Sequence, residues 1–397
     1  MSTDDKNFYA FTVIFFFFEI WYWNLLAMTQ SWYPNTEYHM TFWYNVVQPL
    51  WQTHGLLNVS TCYSHLMDVL MYAVISLANS SFTLYLIVYY FLLDVFWVGR
   101  NILIYHMLKK IGNKNYLIIT LILMCVWDWY GTGFIHHQLA WFLMALSIYL
   151  IVDKKLIWAS LSVALGSLTT LMCMPILLTI FKAQKLEKAW KPLLIFFLTG
   201  LIICMPFMLG NFPVFISGYI WQFTREPSMT IWGIISGSDV WGVPSIAFVE
   251  PIELPNLYTT FNFLLPLSTF FLLASFIFIK VKNQKELLLF NAFINTLYIF
   301  FVKILESRYY MLTLPFISES LEFIMLIGVA SGIMDLMWRA YPTFYNPAIV
   351  TISGLIHISI LLFLIWRLRK NIYVPLIRRR PADQRFNSLS NDLPEPH

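Results

Sequence analysis

The chain is a succession of apolar runs separated by short polar breaks. The runs cover 9–28, 82–108, 115–129, 134–152, 156–181, 192–210, 260–279, 286–302, 309–334 and 344–366, and they are continuous, without the two-residue alternation of a half-buried strand. About 20 consecutive apolar residues carry a helix across a hydrocarbon layer about 30 Å thick. A membrane β-barrel is excluded, because its strands alternate. Two runs are interrupted by small residues and proline, at 166–175 and 315–320, and each predicts a hairpin of two short, tilted helices. The pattern therefore predicts an all-α membrane protein with about 10–12 transmembrane helices. The stretch HLMDVLMYAVISLA is too short to span comfortably and predicts an amphipathic helix lying at the interface.

Composition agrees with this reading: 59% of the residues are hydrophobic and 12% charged, outside the range of soluble globular proteins. The four cysteines form no CxxC pair, and three lie in apolar runs where packing is the default role. The N-terminus, MSTDDKN, is acidic where a secretory signal is basic, so the first helix is expected to be retained.

Charge sets the predicted orientation. Of the 25 Lys and Arg, all but Arg225, Lys303, Arg308 and Arg339 are assigned to one side, Arg100 being counted with Lys109, Lys110 and Lys114. The positive-inside rule makes that side cytoplasmic and puts both termini there. The expected organisation is one polytopic domain, 1–366, with a basic, disordered cytoplasmic tail, 367–397, whose arginines meet anionic headgroups. Two long segments, 29–81 and 211–259, then face outward; the second, rich in Trp, Tyr, Gly and Pro, reads as a loop folded on the membrane surface. Asn58 and Asn79 head N-glycosylation sequons on that face.

Ionisable residues near the outer ends of the runs form three groups. Glu37 and His39 lie in WYPNTEYHM, and Asp128 and His136-His137 flank the turn WDWYGTGFIHHQ. Lys303, Glu306 and Arg308 lie in FVKILESRYYMLTLPF, to which Arg225 and Glu226 are added. Carboxylates with cations at a membrane surface suit group transfer from a lipid phosphate: a carboxylate deprotonates the attacking hydroxyl, and Lys or Arg neutralises the leaving phosphate. The bland alternatives are a solvated loop acid at Glu37 and snorkelling anchors at Lys303 and Arg308. Glu19 and Asp94 fall inside apolar runs, where an ionisable group is costly; each is either functional or hydrogen-bonded to a neighbouring helix. Adjacent histidines on a helix diverge by about 100°, and no histidine has another four residues away, so no metal site is predicted at His136-His137. No cofactor is predicted, a divalent metal has no support in the sequence, and no nucleic-acid partner is expected.

The order of these features resembles the GT-C class of membrane glycosyltransferases, especially the mannosyltransferase-like members that use polyprenyl-phosphate sugars. The resemblance is carried by an acidic residue before a Tyr in NTEYHMTFWYNVV after the first helix, by interfacial helices, and by the long second span LLDVFWVGRNILIYHMLKKIGNKN. WYGTGFIHHQLAWFLMALSIYL, SLTTLMCMPILLTI, the Arg225 segment with SMTIWGII, and VKILESRYYMLTLP look like the family's later motifs, although His137 or Gln138 stands where an acid is expected and no lysine precedes Pro175. The resemblance implies a hexose, mannose-like, passed from a polyprenyl-phosphate sugar to a lipid-linked or other glycan or lipid acceptor on the non-cytoplasmic face by a single inverting displacement. It assigns Glu37 as general base and Lys303, Arg308 and Arg225 to the donor phosphate, with His39, Asp128, His137 and Glu306 as helpers. No nucleotide fingerprint or P-loop occurs in the chain, in line with a lipid donor. A transporter or lipid flippase is the alternative, since intramembrane Glu19 and Asp94 and two broken helices fit alternating access; a haem or copper oxidoreductase ranks third.

Overall fold

The computed structural model describes residues 2–29, 41–61, 65–79, 81–131, 135–184, 186–224, 232, 263–301 and 347–372. These are helical almost throughout, with an antiparallel bridge between Ile279 and Ile372. The helices are α1 Thr3–Thr29, α2 Gln48–His54, α3 His65–Leu77, α4 Phe82–Lys110, α5 Tyr116–Gly131, α6 Ile135–Val152, α7 Leu156–Ser167, α8 Ile176–Lys182, α9 Trp190–Thr224, α10 Leu264–Phe278, α11 Gln284–Phe301 and α12 Pro347–Leu368. Two described segments are long and apolar enough to cross a membrane, Phe82–Lys110 and Trp190–Ile220.

Side-chain partners fix the direction of each helix. We call the end where α4 begins the upper end. At the lower end the Asp5 carboxylate of α1 accepts hydrogen bonds from Tyr105 (2.8 Å) and Lys109 (2.5 Å) of α4, and Phe8 stacks on Tyr105 at 3.9 Å. Thus α1 rises and α4 descends. α6 descends beside α4 in the same direction: the Ile135 amide donates to the Tyr89 hydroxyl near the top, and Lys110 bonds Asp153 at the bottom. Gly99 permits this close pairing, since a Cβ there would stand 2.7 Å from the Phe142 ring. Gly112, at φ +70°, closes the turn below α4, a left-handed conformation that glycine adopts without steric cost. α11 starts at the lower end, where the Gln284 amide donates to the Val152 carbonyl, and α12 returns to it, where the Lys280 amide donates to Asn371.

α7 and α8 form the short hairpin expected at 156–181. Ser162 donates to the Leu143 carbonyl at 2.8 Å, and a Cβ on Gly166 would stand 3.0 Å from the Cys173 sulfur, so the tip is tightly closed. Cys173 approaches the Ala140 carbonyl, twelve residues above the foot of α6 at Val152; at about 1.5 Å per residue the tip therefore stops about 18 Å up that helix. The chain then descends, and Ser160 donates to the Pro192 carbonyl where α9 sets off upward.

The upper layer is built from a π-helical turn Phe42–Val47, α2, a 3-10 turn Leu56–Asn58 and α3. Its own core, Phe42, Trp43, Val47, Trp51, Val59, Met67, Met71 and Val74, is continuous with Tyr85, Tyr89 and Tyr90 of α4 and with Ile135 and Leu139 of α6. Two features differ from the sequence expectation. Segment 211–259 does not begin as a loop: an extended residue, Asn211, breaks α9, and the chain is helical again to Thr224, with the Asn211 side chain accepting from the Val214 amide as an N-cap does. And the buried face of α3 is not wholly apolar: His65 and Asp68 are buried beside Met67, Met71, Val74 and Ile75, while Val69, Tyr72 and Leu77 are exposed.

Exposed apolar side chains recur elsewhere. Leu209 is 79% exposed, Ile202 67% and Phe197 60%, while the mostly apolar interior also holds Asp94, Arg100, Asn101, Asn291 and His357. A surface of exposed aliphatic and aromatic side chains is the distribution that a hydrocarbon solvent favours.

Candidate functional site

The α4–α6 pair carries a set of buried polar groups: Asp94, Arg100 and Asn101 on α4, and His137 and Gln138 on α6. Tyr89 meets Ile135 and Gly99 meets Phe142, so the register sets Asp94 level with the first turns of α6, where His137 and Gln138 lie. Arg100 is 5% exposed. Its guanidinium lies 5.7 Å from the centre of the Trp141 ring and donates to the Asn101 Oδ1 at 3.3 Å. The His137 ring lies nearly parallel to that of Trp141, with centroids 5.9 Å apart. Gln138 and Trp141, three residues apart, share a face of α6. Neither amide atom of Gln138, nor Trp141 Nε1, nor Asn101 Nδ2, has a hydrogen-bond partner among the described residues. Arg100 and His137 thus flank one indole inside the bundle.

A second polar group ties the upper layer to α9. His65 stacks on Phe207 and Phe215 with ring centroids 4.4 and 4.7 Å away, and its Nδ1 lies 3.3 Å from an Asp68 oxygen. The Thr61 hydroxyl donates to the other Asp68 oxygen at 2.7 Å. Burial raises the Asp68 pKa against the opposing pull of His65 and Thr61. This is a structural clamp: His65 is enclosed by rings on α9, and nothing described opens it to a substrate.

A third group runs through the lower half. Thr179 of α8 donates to Asn291 of α11 at 2.8 Å, Asn295 donates back to the Asn291 carbonyl, and His357 of α12 donates from Nε2 to the Thr296 carbonyl at 3.0 Å. These bonds join three helices across an otherwise apolar core, which is where interhelical polar contacts act as glue.

Of the residues expected to carry chemistry, Glu37, His39, Arg225, Lys303, Glu306 and Arg308 lie outside the described residues. Asp128 lies on α5, Glu19 on α1 and His136 on α6, but their side chains lie outside the description. His137 and Asp94 are described, both buried in the upper half of the α4–α6 pair. Arg100 corrects the charge count. It was assigned to a basic turn, but it stands ten residues above the foot of α4 at Lys110, about 15 Å along the axis, in the interior. The signal was present, because run 82–108 contains it, and a cation within a span is a functional candidate by position alone. Gln138 and Asn101 gave no such signal; their importance comes from what surrounds them. Among the described residues no group of three His, Cys, Asp or Glu could hold a metal ion.

No family model, curated protein or solved structure matches this chain. The functional reading therefore rests on its own residues.

Proposed function

We propose that the chain is a polytopic membrane glycosyltransferase with both termini cytoplasmic. It moves a hexose from a polyprenyl-phosphate sugar to a lipid-linked or other acceptor at the opposite face. Glu37 is the general base, Lys303 and Arg308 with Arg225 neutralise the departing phosphate, and the displacement inverts the anomeric carbon. The observation that supports this most is the upper layer. Within five residues of Glu37 the chain enters a packed platform with its own core, seated on α4 and clamped to α9. A catalytic carboxylate needs such a support, because its geometry must be held to a fraction of an ångström. The lysines of α4, of the α6–α7 turn and of the start of α11 gather at the other end of the bundle, which supports the orientation.

The decisive experiment assays transfer from a polyprenyl-phosphate hexose in membranes. Glu37→Gln should abolish transfer while leaving protein level and thermal stability unchanged; full activity in that variant would remove Glu37 from the base role.

One observation favours a second reading, that of a transporter. The α7–α8 hairpin tip, at Ala140 and Leu143, ends at the depth of Trp141 and Arg100, and broken helices beside buried charges are how carriers build substrate sites. Solute flux into liposomes by the purified protein, without any glycosyl transfer, would select it.

A further inference from the structure

We propose that the foot of the bundle where α8, α10 and α12 come together is a docking surface for an anionic phospholipid of the adjoining leaflet. Lys182 receives the headgroup, lysines of the neighbouring turns surround it, and the exposed face of α10 takes an acyl chain. The inference needs the membrane placement of the bundle and is independent of the transfer reaction.

The argument starts from Lys182, the last residue of α8. Its ammonium lies 4.6 Å from the centre of the Phe276 ring on α10 and 5.8 Å from that of Phe290 on α11. Phe290 is fully buried, so the stem of the lysine lies over core while its charge stays near the helix ends, the posture of a snorkelling lysine. Phe276 stands two residues, about 3 Å, above the lower end of α10 at Phe278. Other lysines at the foot have acids: Lys109 meets Asp5, and Lys110 and Lys155 share Asp153. Among the described residues no carboxylate pairs with Lys182, and the aromatic faces beside it offset only part of its desolvation. A phosphate at the same level supplies the missing negative charge.

The packing brings further cations to this corner. The contact between Lys182 and Phe276 sets the α8–α9 turn, which carries Lys188 and Lys191, against the α10–α11 turn, which carries Lys282 and Lys285. The Lys280 amide donates to the Asn371 carbonyl at 2.9 Å, and Asn371 Nδ2 donates to the Lys280 carbonyl at 3.0 Å, so Lys370 at the end of α12 joins them. Acids do not balance this charge. Glu286 is engaged at the start of α11, where it accepts from the Lys282 amide and from Asn283 Nδ2, and Glu187 is the other acid among the described residues of these turns. A basic pocket between helix ends is the arrangement that recognises anionic headgroups.

The surface directly above the lysines selects a lipid over a soluble anion. Leu273 lies one turn above Phe276, and Phe270, Leu273 and Ile277, at helical spacing on α10, are 64%, 49% and 66% exposed. An anion carried on an acyl chain meets both the charge and this apolar stripe. A free phosphate meets only the charge.

The test uses the full chain in nanodiscs of phosphatidylcholine with phosphatidylglycerol mixed in, and reads the relative affinity for the two lipids by native mass spectrometry. The wild type should retain phosphatidylglycerol in preference. Lys182→Met, which keeps an unbranched stem over the rings, should lower that preference about fivefold, the effect of one lysine near the surface. Lys282→Gln with Lys285→Gln, both exposed, should lower it about 25-fold without touching the core. Lys6→Gln with Lys114→Gln removes two charges from the α1–α5 side of the foot and should leave the preference unchanged. An equal loss in this last pair would overturn the site, by showing attraction to the whole basic face. No preference in the wild type, or a preference abolished by soluble glycerol phosphate, would also overturn it. None of these results bears on transfer by Glu37, which the membrane assay reads separately.

Discussion

Gly218→Ala should loosen the upper layer from α9. A Cβ at Gly218 would stand 2.7 Å from Ser60 Oγ and 2.8 Å from the Thr61 carbonyl oxygen. The hydroxyl can rotate away, but the carbonyl belongs to the strand of chain that leads to the Thr61–Asp68 bond and to the His65 stack. Overpacking of this kind costs about 1–3 kcal/mol. Replacing a helical glycine by alanine returns about 0.5–1 kcal/mol through the unfolded chain, which leaves a net loss of roughly 0–2.5 kcal/mol. Gly200 supplies the control. It lies on the same helix with nothing within 4 Å of its notional Cβ, so Gly200→Ala should gain the about 0.5–1 kcal/mol without any clash. The difference between the two variants cancels the propensity and isolates the clash, about 1–3 kcal/mol. Thermal unfolding in detergent measures that difference, and hydrogen exchange should show the added opening at residues 56–77 only in Gly218→Ala. Equal melting temperatures in the two variants would refute the argument that backbone at Thr61 is held against α9.

Two further perturbations test other parts of the bundle. Lys110 and Lys155 hold the Asp153 carboxyl down from 3.8 to about 2, so its contribution is complete above pH 4 and is lost as pH falls toward 2; Asp153→Asn should be less stable than wild type at neutral pH, and the gap should close in melting curves run below pH 4. Thr179→Val should cost about 1–3 kcal/mol by stranding the Asn291 side-chain Oδ1 in an apolar core, and adding Asn291→Leu should recover part of the loss, a coupling that a double-mutant cycle by thermal unfolding reads directly.

The helices were legible because lipid-length apolar runs have few alternatives. Runs 82–108, 134–152 and 192–210 agree with Phe82–Lys110, Ile135–Val152 and the part of α9 below Asn211 to within a few residues, and the small residues and proline at 166–175 announced the α7–α8 hairpin. The continuation of α9 to Thr224 was not legible, because Asn211 and Pro213 read as loop formers although together they also cap and start a helix. The burial of His65 and Asp68 on α3 was not legible for a related reason: the rings of Phe207 and Phe215 that enclose His65 are more than a hundred residues away in the chain.

Arg100 shows the same limit with more consequence. The positive-inside rule counts cations near the ends of spans, and Arg100 was grouped with Lys109 and Lys110 because all three precede one turn. Register separates them. Lys109 meets Asp5 and Lys110 meets Asp153 at the foot of the bundle, while Arg100 is level with Trp141, at the height of the α7–α8 tip. Arg100 is enclosed against the Trp141 indole and the Asn101 amide, while the lysines hold the fold at its foot, where they pair with carboxylates.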